Sequence, residues 1–197
     1  NLAAFFHTTG GLSNLGDSAF ADSNGSAVTV DQKVAYNYSF EMGFLYSIGQ
    51  MVTMRLGAEL ISGRQVDAIS GNTAAGVEYY RLTSAVHAFN PSVTFEMNFS
   101  NKPHSRLFVY AGLGMADLTM DNTYNFTAAG IANLPVTADY VEKAGASMIS
   151  WTAGVGWELL AVDNVTLALN AGYRALSAAE LKYKGALAEL VEATAPV

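Results

Sequence analysis

Hydrophobic and polar positions alternate without interruption from residue 35 to residue 48. Tyr36, Tyr38, Phe40, Met42, Phe44, Tyr46 and Ile48 fall on one side, with Ala35, Asn37, Ser39, Glu41, Gly43, Leu45 and Ser47 on the other. A period of two is that of an extended strand with one apolar face. Along that face aromatic residues stand at both ends and Met42 stands in the middle. Tyr36 and Tyr46 are ten positions apart, roughly 33 Å along a strand at about 3.3 Å per residue. Tilted by ~40°, such a strand spans about 25 Å of a barrel axis, the height of the lipid-facing band of an outer-membrane barrel with its aromatic girdles.

The pattern recurs. In 51–61, Val52, Met54, Leu56, Ala58 and Leu60 oppose Thr53, Arg55, Gly57 and Glu59. In 87–99, His87, Phe89, Pro91, Val93, Phe95, Met97 and Phe99 oppose Ala88, Asn90, Ser92, Thr94, Glu96 and Asn98. Pro91 cannot donate to a ladder, so a local defect is expected there. In 106–117, Leu107, Val109, Ala111, Leu113 and Met115 oppose Phe108, Tyr110, Gly112, Gly114 and Ala116. In 148–161, Trp151 and Trp157 bracket Ala153 and Val155 on one side, with Ser150, Thr152, Gly154, Gly156 and Glu158 on the other. In 165–175, Val165, Leu167, Leu169, Ala171 and Tyr173 oppose Thr166, Ala168, Asn170, Gly172 and Arg174. A less regular strand is expected at about 2–10.

Links between these segments are of two kinds. Those at 49–50, 101–105 and 163–164 are short, whereas those near 11–33, 62–85 and 118–147 are long and rich in Gly, Ser, Asn, Asp and Ala. Short and long links alternate, which places all short turns at one end of the sheet and all long loops at the other. The prediction is a single domain over 1–197: an all-β, antiparallel up-and-down transmembrane barrel with periplasmic turns and extracellular loops.

Composition agrees with strands rather than helices as the spanning elements. The chain is 51% hydrophobic and 14% charged, apolar for a soluble protein, yet no stretch approaches the ~18 consecutive apolar residues of a transmembrane helix. It has no cysteine, which excludes disulfides and thiolate metal sites. With 10 Lys+Arg against 17 Asp+Glu and a net charge of −7, it lacks the basic surface that nucleic acid requires. No basic region followed by an apolar one begins at Asn1, so any export signal is expected to lie outside these residues.

Alternation alone does not separate a membrane barrel from a water-soluble one such as a lipocalin, whose apolar face points inward. Three features favour the membrane. The face opposite the apolar one is rich in Gly, Ser, Thr and Asn with few Lys, unlike a water-facing surface. It carries charges of both signs at middle depths: Glu41, Arg55, Glu59, Glu96, Glu158 and Arg174. The apolar face forms belts, with Tyr36, Tyr38, Phe44, Tyr46, Trp151, Trp157 and Tyr173 as a candidate aromatic girdle around aliphatic residues.

The segments Leu107–Ala116 (LFVYAGLGMA), Ser150–Leu159 (SWTAGVGWEL) and Leu167–Leu176 (LALNAGYRAL) resemble the Gly-alternating strands and GYR-type strand end of small outer-membrane β-barrel proteins of Gram-negative bacteria, the OmpW/OmpA/OmpX-like group. The resemblance spans most of 33–184. It implies an eight-stranded barrel in the bacterial outer membrane. About seven strands are readable, however, and single-chain bacterial barrels have an even number. The stretch Gly185–Val197 (GALAELVEATAPV) shows no belted strand and lacks the C-terminal aromatic typical of that group. An unclosed edge in lipid leaves backbone groups unpaired. A closing strand beyond Val197, or pairing with another chain in a homo-oligomer, is therefore expected.

The inward charges are the candidate site. Arg55 and Arg174 must each find an acid, and Glu41 and Glu59 are candidate partners. The network either fills the interior, which in eight strands is just wide enough for side chains, or gates a narrow pore. His7, His87 and His104 match no metal-ligand spacing, Gly112-x-Gly114 lies within a strand, and no nucleophile elbow or phosphate-binding loop is present. No cofactor or metal is expected. The expected role is non-enzymatic, structural or narrowly porin-like with a charge-plugged lumen, and the partners are outer-membrane lipids. The alternatives are a homo-oligomeric surface or assembly protein and, further off, a lipid-modifying enzyme using Asp117, Asp121 and His87 at the outer rim.

Overall fold

A computed structural model describes residues 2–13, 16–21, 27–32, 35–64, 69–72, 78–99, 106–133, 140–162, 165–177 and 182–184. The links at 101–105 and 163–164, His104 and the stretch Gly185–Val197 lie outside the described residues. The strands are β1 (Leu2–Ser13), β2 (Gly16–Ala21), β3 (Ala27–Gln32), β4 (Ala35–Ile48), β5 (Val52–Arg64), β6 (Ile69–Asn72), β7 (Glu78–Asn98), β8 (Arg106–Phe126), β9 (Tyr140–Val162), β10 (Val165–Leu176) and β11 (Lys182–Lys184). One short helix, α1 (Ala128–Asn133), follows β8, and Thr127 Oγ1 caps it by accepting a hydrogen bond from Gly130 N at 3.1 Å.

Seven strands form one antiparallel sheet in the order β1-β4-β5-β7-β8-β9-β10. Each strand pairs with the next long strand in the chain, as in an up-and-down meander, and the sheet curls into a half-barrel. The remaining pieces are accessory. β2 and β3 form a separate hairpin between β1 and β4, β6 pairs with β7, and β11 pairs with β9 above the end of β10. β4 and β5 meet through residues 49–51, where Gly49 takes φ 78°, a conformation that costs a residue without Cβ little.

Strands run further than the alternation indicated. β8 continues to Phe126 and β9 begins at Tyr140, so most of 118–147 is strand or helix rather than loop. β5 reaches Arg64, β7 begins at Glu78, and the hairpin β2–β3 occupies much of 11–33. The extensions are mostly polar on their outward side, Ala85 and Val141 being exceptions, and the backbone pairing carries them on: Thr119 opposes Gly145, and Thr123 opposes Val141.

The outward face carries uniform apolar belts. Five strands place apolar residues at each outward position across nine residues: Val52 to Leu60, Phe89 to Met97, Leu107 to Met115, Ile149 to Trp157 and Val165 to Tyr173. On four of them the next outward residue toward the long-loop end is polar: Ser62, His87, Asp117 and Ser147. Within the β9 belt register holds to Trp157, and a bulge then takes Leu159 out of the pairing with β10. Pro91 occupies an outward position. The ladder with β5 runs through it, Ala58 opposite Pro91, whereas the ladder with β8 skips both Asn90 and Pro91, as expected where a residue lacks an N–H.

The concave face buries what a soluble core excludes. Glu41, Arg55, Glu59, Asn90, Thr94, Asn98 and Ser150 are buried, while Tyr38, Phe44, Trp151 and Tyr173 on the other face are exposed. This is the reverse of the burial rule for water-soluble proteins.

Candidate functional site

The six charges singled out by pattern all lie on the concave side, at odd positions of β4 and β5 and even positions of β7, β9 and β10. Register explains the convergence. Glu41 opposes Glu59 on the neighbouring strand, and Thr53, one inward position from Arg55, opposes Glu96. Two carboxylates held side by side in a low-polarity interior require cations, and two arginines reach them from different directions.

Arg55 forms the lower cluster. Its Nη1 lies 3.2 Å from Glu96 Oε1 and its Nε 3.7 Å from Glu41 Oε1. Phe5 and Tyr110 flank the same guanidinium, with centroids 5.4 and 5.6 Å from Cζ, within the range of cation–π attraction. Tyr110 fits because Gly154 and Gly172 lie beneath its ring. A Cβ at Gly154 would meet the ring and its hydroxyl, and a Cβ at Gly172 would meet the hydroxyl.

Arg174 forms the second cluster. Its Nη2 donates to both oxygens of Glu59, at 2.7 and 2.6 Å. Asn90 Nδ2 donates to Glu59 Oε2 at 3.2 Å, and Ser150 Oγ donates to Asn90 Oδ1 at 2.7 Å. The chain β10–β5–β7–β9 of hydrogen bonds therefore crosses the interior and fixes the Glu59 carboxylate from two sides.

His7 joins the Arg55 cluster to β10. Its Nδ1 is 3.4 Å from Glu41 Oε2 and its Nε2 is 3.3 Å from Asn170 Nδ2. The second contact links β1 to β10, the two ends of the sheet. The sixth predicted residue, Glu158, stands apart from these clusters. It lies 3.6 Å from Arg106 toward the short-turn end, where the arginine is 41% exposed, so this pair is screened and weak.

Sequence reasoning placed the six charges on one face but missed His7, Phe5, Tyr110, Arg106, Asn90, Ser150 and Asn170 as their partners. Inward parity on β7–β10 could have found most of them. β1 gave no such signal, because Phe5 points inward and Phe6 outward.

The rim residues do not form a constellation. His87 Nδ1 pairs with Ser62 Oγ at 3.1 Å, Ser147 Oγ donates to Asp117 Oδ1 at 2.6 Å, and Asp121 lies 3.8 Å from Lys143 Nζ. Each has a different partner: His87 and Ser62 form a histidine–hydroxyl pair, and Asp117 and Asp121 are engaged elsewhere, with Ser147 and Lys143. Among the described residues no group of three or more His, Cys, Asp or Glu could hold a metal.

The candidate girdle residues Tyr36, Tyr38, Phe44, Tyr46, Trp151, Trp157 and Tyr173 are all exposed on the outward face. Comparison with protein families, with characterised proteins and with solved structures gives no match, so the functional reading stands on this chain's own geometry.

Proposed function

We propose that this chain is a non-enzymatic transmembrane β-barrel of the bacterial outer membrane, with a structural or narrowly porin-like role and a lumen plugged by charged side chains. The observation that carries the reading is the pairing of two opposite faces on one sheet. The outward face bears apolar belts of at least nine residues on five strands, and the inward face buries ion pairs. A nine-residue belt spans eight steps, roughly 27 Å of strand or about 20 Å once tilted, close to the apolar band of an outer-membrane barrel. A water-soluble barrel of the same strands would expose Phe44, Trp151, Val155 and Leu169 to solvent and bury carboxylates, at a cost no soluble fold offsets. The resemblance to the OmpW/OmpA/OmpX-like group points the same way.

The barrel is eight-stranded in this reading. With seven antiparallel strands, β1 and β10 run in the same direction, so one further strand running oppositely pairs antiparallel with both. Arg174 Nε and Asn170 Oδ1, on edge strand β10, have no hydrogen-bond partner among the described residues; a polar side chain on the closing strand supplies one. The same seam favours the second reading, a homo-oligomeric surface or assembly protein in which another chain provides that strand.

Co-flotation with liposomes, together with a shift in gel mobility between unheated and boiled samples, tests the barrel. A protein that stays in the aqueous fraction overturns it. The native mass in detergent separates the readings: one chain per particle supports the closed monomer, and several chains support the assembly.

A further inference from the structure

Above the ion pairs the interior changes character. Toward the long-loop end, the inward positions next above Glu59, Asn90, Gly114 and Ser150 carry no charge. They form registered rows: Ile61 opposes Ala88, Ala88 opposes Leu118, and Leu118 opposes Ala146. One step higher Val86 opposes Met120, which opposes Ala144, and one step below Leu118 and Ala146 the pair Ala116 and Met148 face each other. Ala116 is 0% exposed and Ala144 2%, so neighbouring side chains close over the small residues. Polar groups return above this layer, where Ser84 Oγ donates to Asn122 Oδ1 at 2.7 Å. On β4 and β1 the first row continues as Ser39 and Thr9.

We infer that this apolar layer on β5, β7, β8 and β9, rather than the Arg–Glu network below it, is the barrier that keeps the interior from conducting. A water or ion entering the charged clusters finds donors and acceptors that exchange partners with it. In the apolar layer it finds none on four strands, and a narrow apolar constriction excludes water and the ions it hydrates. Leu118 and Met148 contribute the bulk, and the alanines bring the walls close. The inference rests on the barrel reading but moves the block to flow from the charged side chains of that reading to the apolar layer above them.

The test is conductance of the full chain in planar bilayers, beside two double variants. Leu118→Asn with Met148→Gln makes the layer polar, and Glu59→Gln with Arg174→Gln neutralises the ion pair. The polar-layer variant is expected to raise mean conductance about threefold or more, while the neutralised pair stays within about twofold of the parent. Leu118→Thr alone, which places a β-branched residue suited to a strand there, serves if the double variant does not fold, and the same rise is expected in smaller measure. A larger rise from the neutralised pair overturns the inference, as does a silent polar-layer variant that co-floats with liposomes. A parent that fails to co-float at all removes the barrel reading and this inference with it.

Discussion

Arg174 on the last long strand reaches across the concave face to Glu59 on the third strand of the sheet, contacting both carboxylate oxygens with one nitrogen at 2.7 and 2.6 Å. The two residues are 115 positions apart, and they are unequally buried: the Glu59 side chain is 3% exposed and that of Arg174 31%. Loss of the arginine leaves a buried carboxylate held by Asn90, whereas loss of the glutamate leaves a guanidinium that water can reach. Arg174→Met should therefore destabilise by about 3 kcal/mol and Glu59→Leu by clearly less, with the double variant recovering part of the loss. Urea unfolding of the vesicle-reconstituted protein measures all three. Equal costs, or strict additivity, would show that the pair acts through packing rather than charge.

Tyr110 holds one side of the Arg55 guanidinium because two strands present glycine beneath it. Gly154→Val should displace the ring and cost about 1–3 kcal/mol, the usual range for overpacking. Tyr110→Ala in the same chain should restore part of that loss by freeing the ring's space, the rest remaining because a Cβ at Gly154 also meets the backbone oxygen of Ala171. A Gly154→Val cost that persists unchanged in the Tyr110→Ala background would place the strain elsewhere in β9.

Pro91 interrupts the β7–β8 ladder in the middle of an otherwise regular wall. Replacement by Val supplies an N–H and a β-branched side chain suited to a strand. Pro91→Val should leave stability unchanged or raise it by up to about 1 kcal/mol, and its new amide should exchange slowly with solvent deuterium. Marked destabilisation would mean that the break is needed for the shape of the wall.

The belts were legible because outward and inward positions differ sharply in polarity, so period two appears in each of β4, β5, β7, β8, β9 and β10. The same contrast put Glu41, Arg55, Glu59, Glu96, Glu158 and Arg174 on one face. What the pattern could not carry is where two faces are alike. In β1 the adjacent pair Phe5–Phe6 hides the alternation, and with it the inward place of His7. Above the belt Thr119, Asp121, Asn122 and Thr123 are polar on both sides, so strand was read as loop. Leu118, Met120 and Met148 point inward yet are as apolar as the outward residues. The choice of partners was also beyond local pattern: Glu41 meets Arg55 from the adjacent strand, but Glu59 meets Arg174 only because the sheet curls.

Depth should govern the cost of an outward charge. Ala153 lies midway along the β9 belt between Trp151 and Val155, and Thr119 lies above the belt on β8. Ala153→Arg should cost about 2–4 kcal/mol in vesicles, and Thr119→Arg about 0–1. Similar small costs at both sites would fit a wall in water, not in lipid.

The central claim is that the outward face meets lipid, and the chain's own fluorophores address it. It has two tryptophans, Trp151 and Trp157, both outward on β9 and exposed, about 15 Å apart in depth once the strand is tilted. Quenching of this emission should be measured in vesicles with brominated lipids and, separately, with aqueous iodide. Strong quenching by brominated acyl chains that depends on bromine position, with little by iodide, is the predicted result. Quenching by iodide with none from the brominated lipids would contradict the account.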